Sequence, residues 1–312
     1  MGSTRQFLDS RGYRDFESAQ LPTSEKRFPD GAQYRVEIPS VEDPDALEAV
    51  FKEADSRGVL VHRVSQGSGG ILTTDDEMNR YAQIGRDRSA EVSLFARPTA
   101  AWGTGAGHLS PTGAALAAQA RGTEQLYSAL DEIDRISSFG MRSVLVTDIG
   151  VLSMANGMRE EGILPADLQI KVSVQMGLAN PASIAVVEAH GANTYNIPTD
   201  LSLSQIAAIR QAVDIPLDIY IESPDDLGGF MRHYEIGEIV RIAAPVYVKF
   251  GLRNSPFIYP SGTHLSETAA ALARERVRRA QIGLDMLQRQ YPDAVMSEAG
   301  AAGLAVPAIA TA

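Results

Sequence analysis

The sequence predicts an α/β protein built as a single (β/α)8 barrel. Eight short runs rich in β-branched and aromatic residues recur between positions 34 and 250, and a longer stretch with helical spacing of apolar residues follows each run. The chain has 312 residues, and a barrel of this kind needs roughly 250. Active sites in these barrels lie at the carboxyl ends of the strands, so the fold class narrows the search for functional residues.

The predicted strands follow one another at the spacing of βα units. They are YRVEI (34–38), VLVHRV (59–64), EVSLFAR (91–97), SVLVTD (143–148), QIKVSV (169–174), TYNIPT (194–199), LDIYIE (217–222) and VYVKF (246–250). Helix starts are marked by caps: Thr74 precedes Glu77 in a capping box, and Asn180 precedes Pro181. These signals assign residues 34–293 to the barrel.

Two segments flank the predicted barrel. Residues 1–33 are polar and rich in Pro and Gly, which predicts an N-terminal arm that is disordered or packs across the outside of the barrel. Residues 294–312 are rich in Ala and Gly and have no polar face. We expect a flexible C-terminal tail there, with an apolar docking segment as the alternative.

Composition excludes several classes of protein. The net charge of −11 and the pI of about 5.0 disfavour nucleic acid and anionic membranes as partners. The chain has no cysteine, which rules out disulfides, thiolate zinc sites and cysteine-ligated iron–sulfur clusters. No apolar run is long enough to span a bilayer, and the polar N-terminus lacks the apolar core of a secretion signal. We therefore expect a cytoplasmic protein with a small-molecule or peptide substrate; self-association is left open.

Alternation along the strands predicts which side chains point into the barrel. Apolar residues pack outward on the helices, so polar residues of the opposite phase point inward. This phase places Arg35, Lys171 and Asp218 near the middle of the barrel, where we expect them to form an ion network. Nearer the mouth it places an upper ring, formed by Glu37, Arg97, Gln175, Glu222 and Lys249. The pattern does not decide between His62 and Arg63, or between Thr147 and Asp148.

Three of the ring residues are candidates for catalysis. Glu222 ends the seventh strand, and Lys249 and Glu37 lie near the ends of the eighth and first strands. These three strands are neighbours in a closed barrel. Lys249 would then lie between two carboxylates, which favours its ammonium form and disfavours a Schiff-base role. Such a cation suits an anionic substrate group, with one glutamate as general acid or base. The alternative is a purely structural Glu–Lys–Glu bridge.

Other residues on the same face are candidates for substrate binding or for a metal. The expected substrate-binding residues are Arg253, Arg97, Gln175, Asn196, His264 and His108. A divalent metal could instead be held by His62, Asp148 and Glu222, although no HxH or HExxH spacing supports such a site.

The middle and end of the chain resemble a known family. The run from KVSVQMGLANP to LDIYIESPDD, followed by PVYVKFGLRN and YPSGTH, is similar to cysteine-free actinobacterial barrel proteins grouped with the U32 peptidases. The resemblance covers roughly 35–290, and its most family-like part carries Asn196, Pro198 and Asp200. The resemblance implies a (β/α)8 barrel and an activity of peptidase or hydrolase type. Other branches use a four-cysteine iron–sulfur cluster, which this chain cannot form.

Three functional hypotheses follow. The first is a U32-like barrel enzyme that performs hydrolase or lyase-type acid/base chemistry on a small polar or anionic substrate. The second is a divalent-metal-dependent isomerase or lyase. The third is a non-catalytic barrel that binds a ligand or acts as a scaffold.

Overall fold

Eight parallel strands close into a barrel, as the sequence predicts. The computed structural model describes residues 3–13, 20–97 and 119–310. Each strand pairs with the next one in the chain, and the last pairs with the first. Their bounds are Tyr34–Pro39 (β1), Arg63–Ser65 (β2), Glu91–Phe95 (β3), Ser143–Val146 (β4), Gln169–Val172 (β5), Thr194–Asn196 (β6), Leu217–Glu222 (β7) and Val246–Phe250 (β8).

Helices follow the strands and surround the barrel. In the described ranges they are Ser3–Ser10 (α1), Pro44–Arg57 (α2), Asp75–Asp87 (α3), Gly122–Ser138 (α4), Ile149–Glu160 (α5), Pro181–Ala189 (α6), Leu203–Ala212 (α7), Ile236–Ala243 (α8) and Ser266–Gln290 (α9). The capping box of Thr74 and Glu77 starts α3, and Asn180 caps α6 with Pro181 at its first position. Both caps confirm the predicted helix starts.

The apolar core lies between the barrel and its helices. Outward-facing strand residues such as Val36, Ile170 and Ile219 are buried against the inner faces of the helices. The opposite phase sends polar and charged side chains into the lumen. The position of the second strand differs most from the prediction: it begins at Arg63, whereas the predicted strand begins at residue 59. Its register pairs Arg63 with Glu37, and the two side chains bond to each other in the lumen.

The bottom of the barrel, at the amino ends of the strands, is covered by the two flanking segments. Residues 294–310 lie across it: Met296 bridges to Tyr34, and Ala308 N–H donates to the Gly140 carbonyl at 2.7 Å. From the arm, Phe28 packs edge-on against Tyr247 with ring centroids 5.4 Å apart. The structure thus shows a docked segment in place of the predicted flexible tail, because its apolar side chains and free carbonyls find partners at the barrel bottom.

Arg35 shows how firmly the tail is tied to the barrel. This side chain is buried, and it donates to Ser297 Oγ at 2.9 Å and to the Ala302 carbonyl at 2.7 Å. Its guanidinium also lies 4.0 Å from the centroid of the Phe28 ring. The predicted middle-layer role of Arg35 is therefore wrong, since its partners are at the bottom.

No helix in the described ranges is long and apolar enough to cross a membrane.

Deleting residues 295–312 should lower the free energy of unfolding by more than about 3 kcal/mol, because the buried Arg35 would keep its charge but lose its hydrogen bonds to Ser297 and Ala302. Urea unfolding measures this change. Deleting only residues 311–312 is the matched control and should have no effect. Equal stability of both truncated proteins would contradict the docked arrangement.

Candidate active site at the barrel mouth

A cavity of about 90 Å³ opens at the carboxyl ends of the strands. Its walls come from the loops after most of the strands, and its charged lining residues are Arg97, Asp226 and Lys249. Neutral polar side chains supply much of the remaining lining, namely Ser40, Ser65, Gln66, Ser173, Gln175, Asn196, Tyr220 and Tyr259. The position is the one that the fold predicts for an active site.

Lys249 lies at the floor of this cavity. Its side chain is only 4% exposed, and its Nζ donates to Asn196 Oδ1 at 2.6 Å. The same nitrogen lies 3.2 Å from Glu37 Oε1 and 4.4 Å from the centroid of the Tyr220 ring. These three contacts fix the position of the amine while the remaining side faces the cavity that Lys249 lines.

Beneath Lys249 is a buried ion network centred on Glu37 and Arg63. Glu37 Oε2 accepts from Arg63 Nε at 2.8 Å and from its terminal NH2 nitrogen at 2.6 Å. Glu37 Oε1 accepts from Lys171 Nζ and from Ser65 Oγ. Arg63 also bonds to Asp218, and its guanidinium lies 3.4 Å from the centroid of the Tyr247 ring. The network is thus continuous from the cavity floor to the middle of the barrel.

Burial and charge act against each other in this network. Burial raises the pKa of Glu37, but Arg63, Lys171 and Lys249 together hold it well below its usual range. Burial, assisted by the positive charge of Arg63, lowers the pKa of Lys171. Glu37 is therefore an ionised partner for cations and is itself fully buried. The predicted contact between Lys171 and Asp218 is present, at 3.5 Å.

The structure contradicts the expected contact between Glu222 and Lys249. A register shift between Tyr220 and Glu222 pairs Glu222 with Phe250, an outward-facing core residue. The Glu222 carboxylate accepts instead from the Arg253 backbone N–H at 2.9 Å. It also pairs with Arg279 of α9 at 3.4 Å. The β-bulge therefore removes one of the two carboxylates that were expected beside Lys249.

The predicted substrate-binding residues divide into two groups. Arg97, Gln175 and Asn196 line the cavity. The side chain of Arg253 is 55% exposed, lies 3.6 Å from Asp225 and is not among the lining residues. His264 is also exposed and outside the cavity lining. His108 lies outside the described residues.

The three predicted metal ligands do not come together. His62 lies towards the barrel bottom, where Nδ1 accepts from the Val36 N–H and Nε2 donates to the Ser297 carbonyl. Asp148 caps α5 through the Val151 N–H and also accepts from the Ala120 N–H. Within residues 3–13, 20–97 and 119–310, no group of three His, Cys, Asp or Glu side chains is arranged to hold a metal ion.

The rim of the cavity is held by a second buried carboxylate. Glu42 accepts from the backbone N–H groups of Gly67 and Ser68, each at 2.9 Å. Ser68 Oγ in turn accepts from the Ser261 N–H at 2.8 Å, which joins the loops after β1, β2 and β8. A Cβ at Gly67 would lie 2.5 Å from Tyr259 Cε1, so glycine is needed for this close packing.

Two residues of the site were not selected from the sequence. Arg63 was left undecided against His62, because β2 has only three residues and shows too little alternation. Asp226 lies on the loop after β7 and lines the cavity. Burial and the neighbouring charge of Asp225 raise the pKa of Asp226. The sequence signal that could have selected Asp226 is its place on a loop after a strand, where active-site residues of such barrels lie.

A protein-family model matches part of the chain. The model described as Peptidase family U32 matches residues 115–223. This segment is U32 peptidase-like. It includes β4 to β7, and over these residues it confirms the resemblance seen in the sequence. No curated protein matches the chain in sequence.

Several solved structures are similar at low identity. The U32 peptidase Mk0906 is 17% identical, with 67% of this chain and 75% of that chain covered and a TM-score of 0.40. Thiamine phosphate pyrophosphorylase from Pyrococcus furiosus is 13% identical, with 82% and 98% covered and a TM-score of 0.45. A truncated 3-deoxy-D-arabino-heptulosonate 7-phosphate synthase from Thermotoga maritima is 12% identical, with 86% and 91% covered and a TM-score of 0.44. Their activities do not carry over at such distances.

Replacing Arg63 with Met should lower the free energy of unfolding by about 3–5 kcal/mol, because Glu37 and Asp218 would keep buried charges without their shared partner. Urea unfolding measures the change. Arg88→Met is the control: Arg88 pairs with Asp55 on the surface, and its loss should cost less than about 1 kcal/mol. Equal costs for the two substitutions would contradict the network.

His62 should make the protein less stable in mild acid. Burial lowers its pKa from 6.5 to about 4. The unfolded chain therefore binds a proton in this window while the folded protein does not, and stability falls as pH drops from 6.5 towards 4. The expected slope from this group is up to about 1.4 kcal/mol per pH unit. His62→Gln should show a shallower decline in urea unfolding across this window; parallel curves would contradict the assignment.

Proposed function

We propose that the protein is an enzyme that performs acid/base chemistry, of lyase or hydrolase type, on a small anionic substrate in the mouth cavity. The observation that carries this proposal is the position of Lys249. Its amine is held at the cavity floor by Asn196 and Glu37, where a substrate oxygen or a reacting carbon would meet it. The U32-like segment supports the proposal, because it supplies Asn196 and Gln175 to the same cavity.

The charges around the cavity favour an anionic substrate. Lys249 and Arg97 both line it. Arg97 donates to the Gly67 carbonyl at 3.2 Å, which holds its guanidinium near the rim. With one cation at the floor and one near the rim, the cavity suits a small molecule that carries a carboxylate or phosphate at one end.

Proton transfer is assigned to residues that line the cavity. Asp226, with its raised pKa, is the candidate general acid or base. Burial also raises the pKa values of Tyr220 and Tyr259, so both hydroxyls stay protonated and can donate hydrogen bonds. Glu37 and Glu222 are better described as positioning residues: Glu37 holds Lys249, and Glu222 holds the backbone of Arg253.

The alternatives are less well supported by the geometry. A metal-dependent reaction through His62, Asp148 and Glu222 would need these side chains to leave the partners that they have. A non-catalytic binding barrel shares the cavity and differs in lacking turnover. The cytoplasmic location and the absence of nucleic-acid or membrane partners stay predictions from composition.

Oxalate is a suitable probe, because it is a small dianion without a reactive ketone. We expect it to bind the wild-type protein in isothermal titration calorimetry. Lys249→Met and Arg97→Gln should each weaken binding by about tenfold or more, because each removes a hydrogen bond to a charged group.

Arg253→Gln is the matched control, since Arg253 is an exposed arginine outside the cavity lining. It should leave the affinity of oxalate unchanged. Binding that depends on Arg253 and not on Lys249 would place the anion site elsewhere. An absence of oxalate binding would count against an anionic substrate.

A further inference from the structure

We propose that Lys249 is a covalent nucleophile that forms an imine with the ketone carbon of a small 2-oxo acid. This inference rests on the proposed function, since it uses the same cavity and the same anionic group. It goes further by assigning the substrate class and a covalent step. Four observations carry it: the distribution of lysines in the chain, the charges around Lys249, the hydrogen bonds of its amine and the groups across the cavity.

Lysine is used sparingly in this chain. The sequence has four lysines, Lys26, Lys52, Lys171 and Lys249, among 28 Lys and Arg residues in total. Lys26 and Lys52 lie outside the barrel, and the other two are buried in its lumen. Guanidinium stays protonated in proteins, whereas an amine can lose its proton. Two of the four lysines therefore lie in the interior, where a deprotonable amine differs most from arginine.

Lys249 shares its carboxylate partner with two other cations. The carboxylate in contact with it, Glu37, is shared with Arg63 and Lys171, both of which bond to it more closely. The second partner of Lys249 is the neutral amide of Asn196. Because Glu222 points elsewhere, one of the two carboxylates expected beside Lys249 is absent, and Glu37 is the one that remains.

The hydrogen bonds of the amine leave one direction for attack. A neutral amine has two N–H groups and one lone pair. Asn196 Oδ1 and Glu37 Oε1 can accept the two N–H groups. The Tyr220 ring lies 4.4 Å from the amine nitrogen and lines the same cavity as Lys249, so we place the lone pair on that side. A carbonyl carbon in the cavity would lie in that direction.

The step balances without an additional reagent. The Lys249 nitrogen forms a bond to the ketone carbon, and the carbon–oxygen bond breaks as water leaves. Lys249 first passes one of its three ammonium protons to Asp226 and attacks as a neutral amine; two of the three protons then depart with the oxygen as water, and one stays on the protonated imine. Asp226 lines the same cavity and can carry these protons, while Arg97 receives the carboxylate of the 2-oxo acid. The protonated imine then accepts the electron pair of a neighbouring C–H bond, and Asp226 takes the proton. Where a C–C bond breaks instead, the departing carbon carries a hydroxyl group, gives that hydroxyl proton to Asp226 and leaves as a carbonyl compound.

Reductive trapping with pyruvate and sodium cyanoborohydride tests the proposal. Hydride adds to the imine carbon and leaves a stable secondary amine. Mass spectrometry of the intact protein should show one adduct, with the mass of pyruvic acid less one oxygen atom. Peptide mapping should place it on Lys249, and excess oxalate should suppress it.

Two variants complete the test. Lys249→Arg keeps the positive charge but cannot form the adduct, and it should abolish trapping while the melting temperature confirms that the protein is folded. Lys52→Arg, at an exposed lysine, should leave trapping unchanged. An adduct on Lys171, on Lys26 or on Lys52 in place of Lys249 would overturn the proposal. Oxalate binding without any pyruvate adduct would overturn the imine alone and leave the proposed function intact; loss of both would overturn both.

Discussion

The buried ion pair between Arg63 and Glu37 is the interaction on which the rest of the lumen depends. Both side chains are fully buried, so each would be costly without the other. Arg63 also compensates Asp218, and Glu37 also compensates Lys171 and Lys249. A barrel filled by apolar side chains would not need any of these charges. Their joint presence is explained if one of them, Lys249, has to lie at the floor of the cavity with its amine held in place.

The two ends of the barrel have different tasks. At the bottom, the tail and the arm cover Arg35 and Tyr247, and the hydrogen bonds there are satisfied by protein groups. At the mouth, Glu42 and Ser68 tie three loops together around a cavity. Stabilising contacts are thus found at the amino ends of the strands and the proposed site at their carboxyl ends, which is the usual division in this fold.

The sequence was sufficient for the fold and for most of the lumen, because alternation over four to six residues defines the phase of a strand. The prediction of side-chain direction failed where a strand is short or is interrupted by a bulge. β2 is too short to separate His62 from Arg63, and the bulge in β7 turns Glu222 away from Lys249. The tail was misjudged because small apolar residues were taken as a sign of flexibility, whereas here their backbone carbonyls bind Arg35 and Arg86. Such contacts depend on tertiary structure and leave no local pattern.

A crystal structure of the protein grown with oxalate tests the central claim most directly, namely that the cavity above the Arg63–Glu37 pair is an anion site served by Lys249. We predict density for oxalate in this cavity, with one oxygen within hydrogen-bonding distance of Lys249 Nζ and another facing Arg97. Oxalate bound at another place, with no contact to Lys249 and with no density in the cavity, would contradict the account.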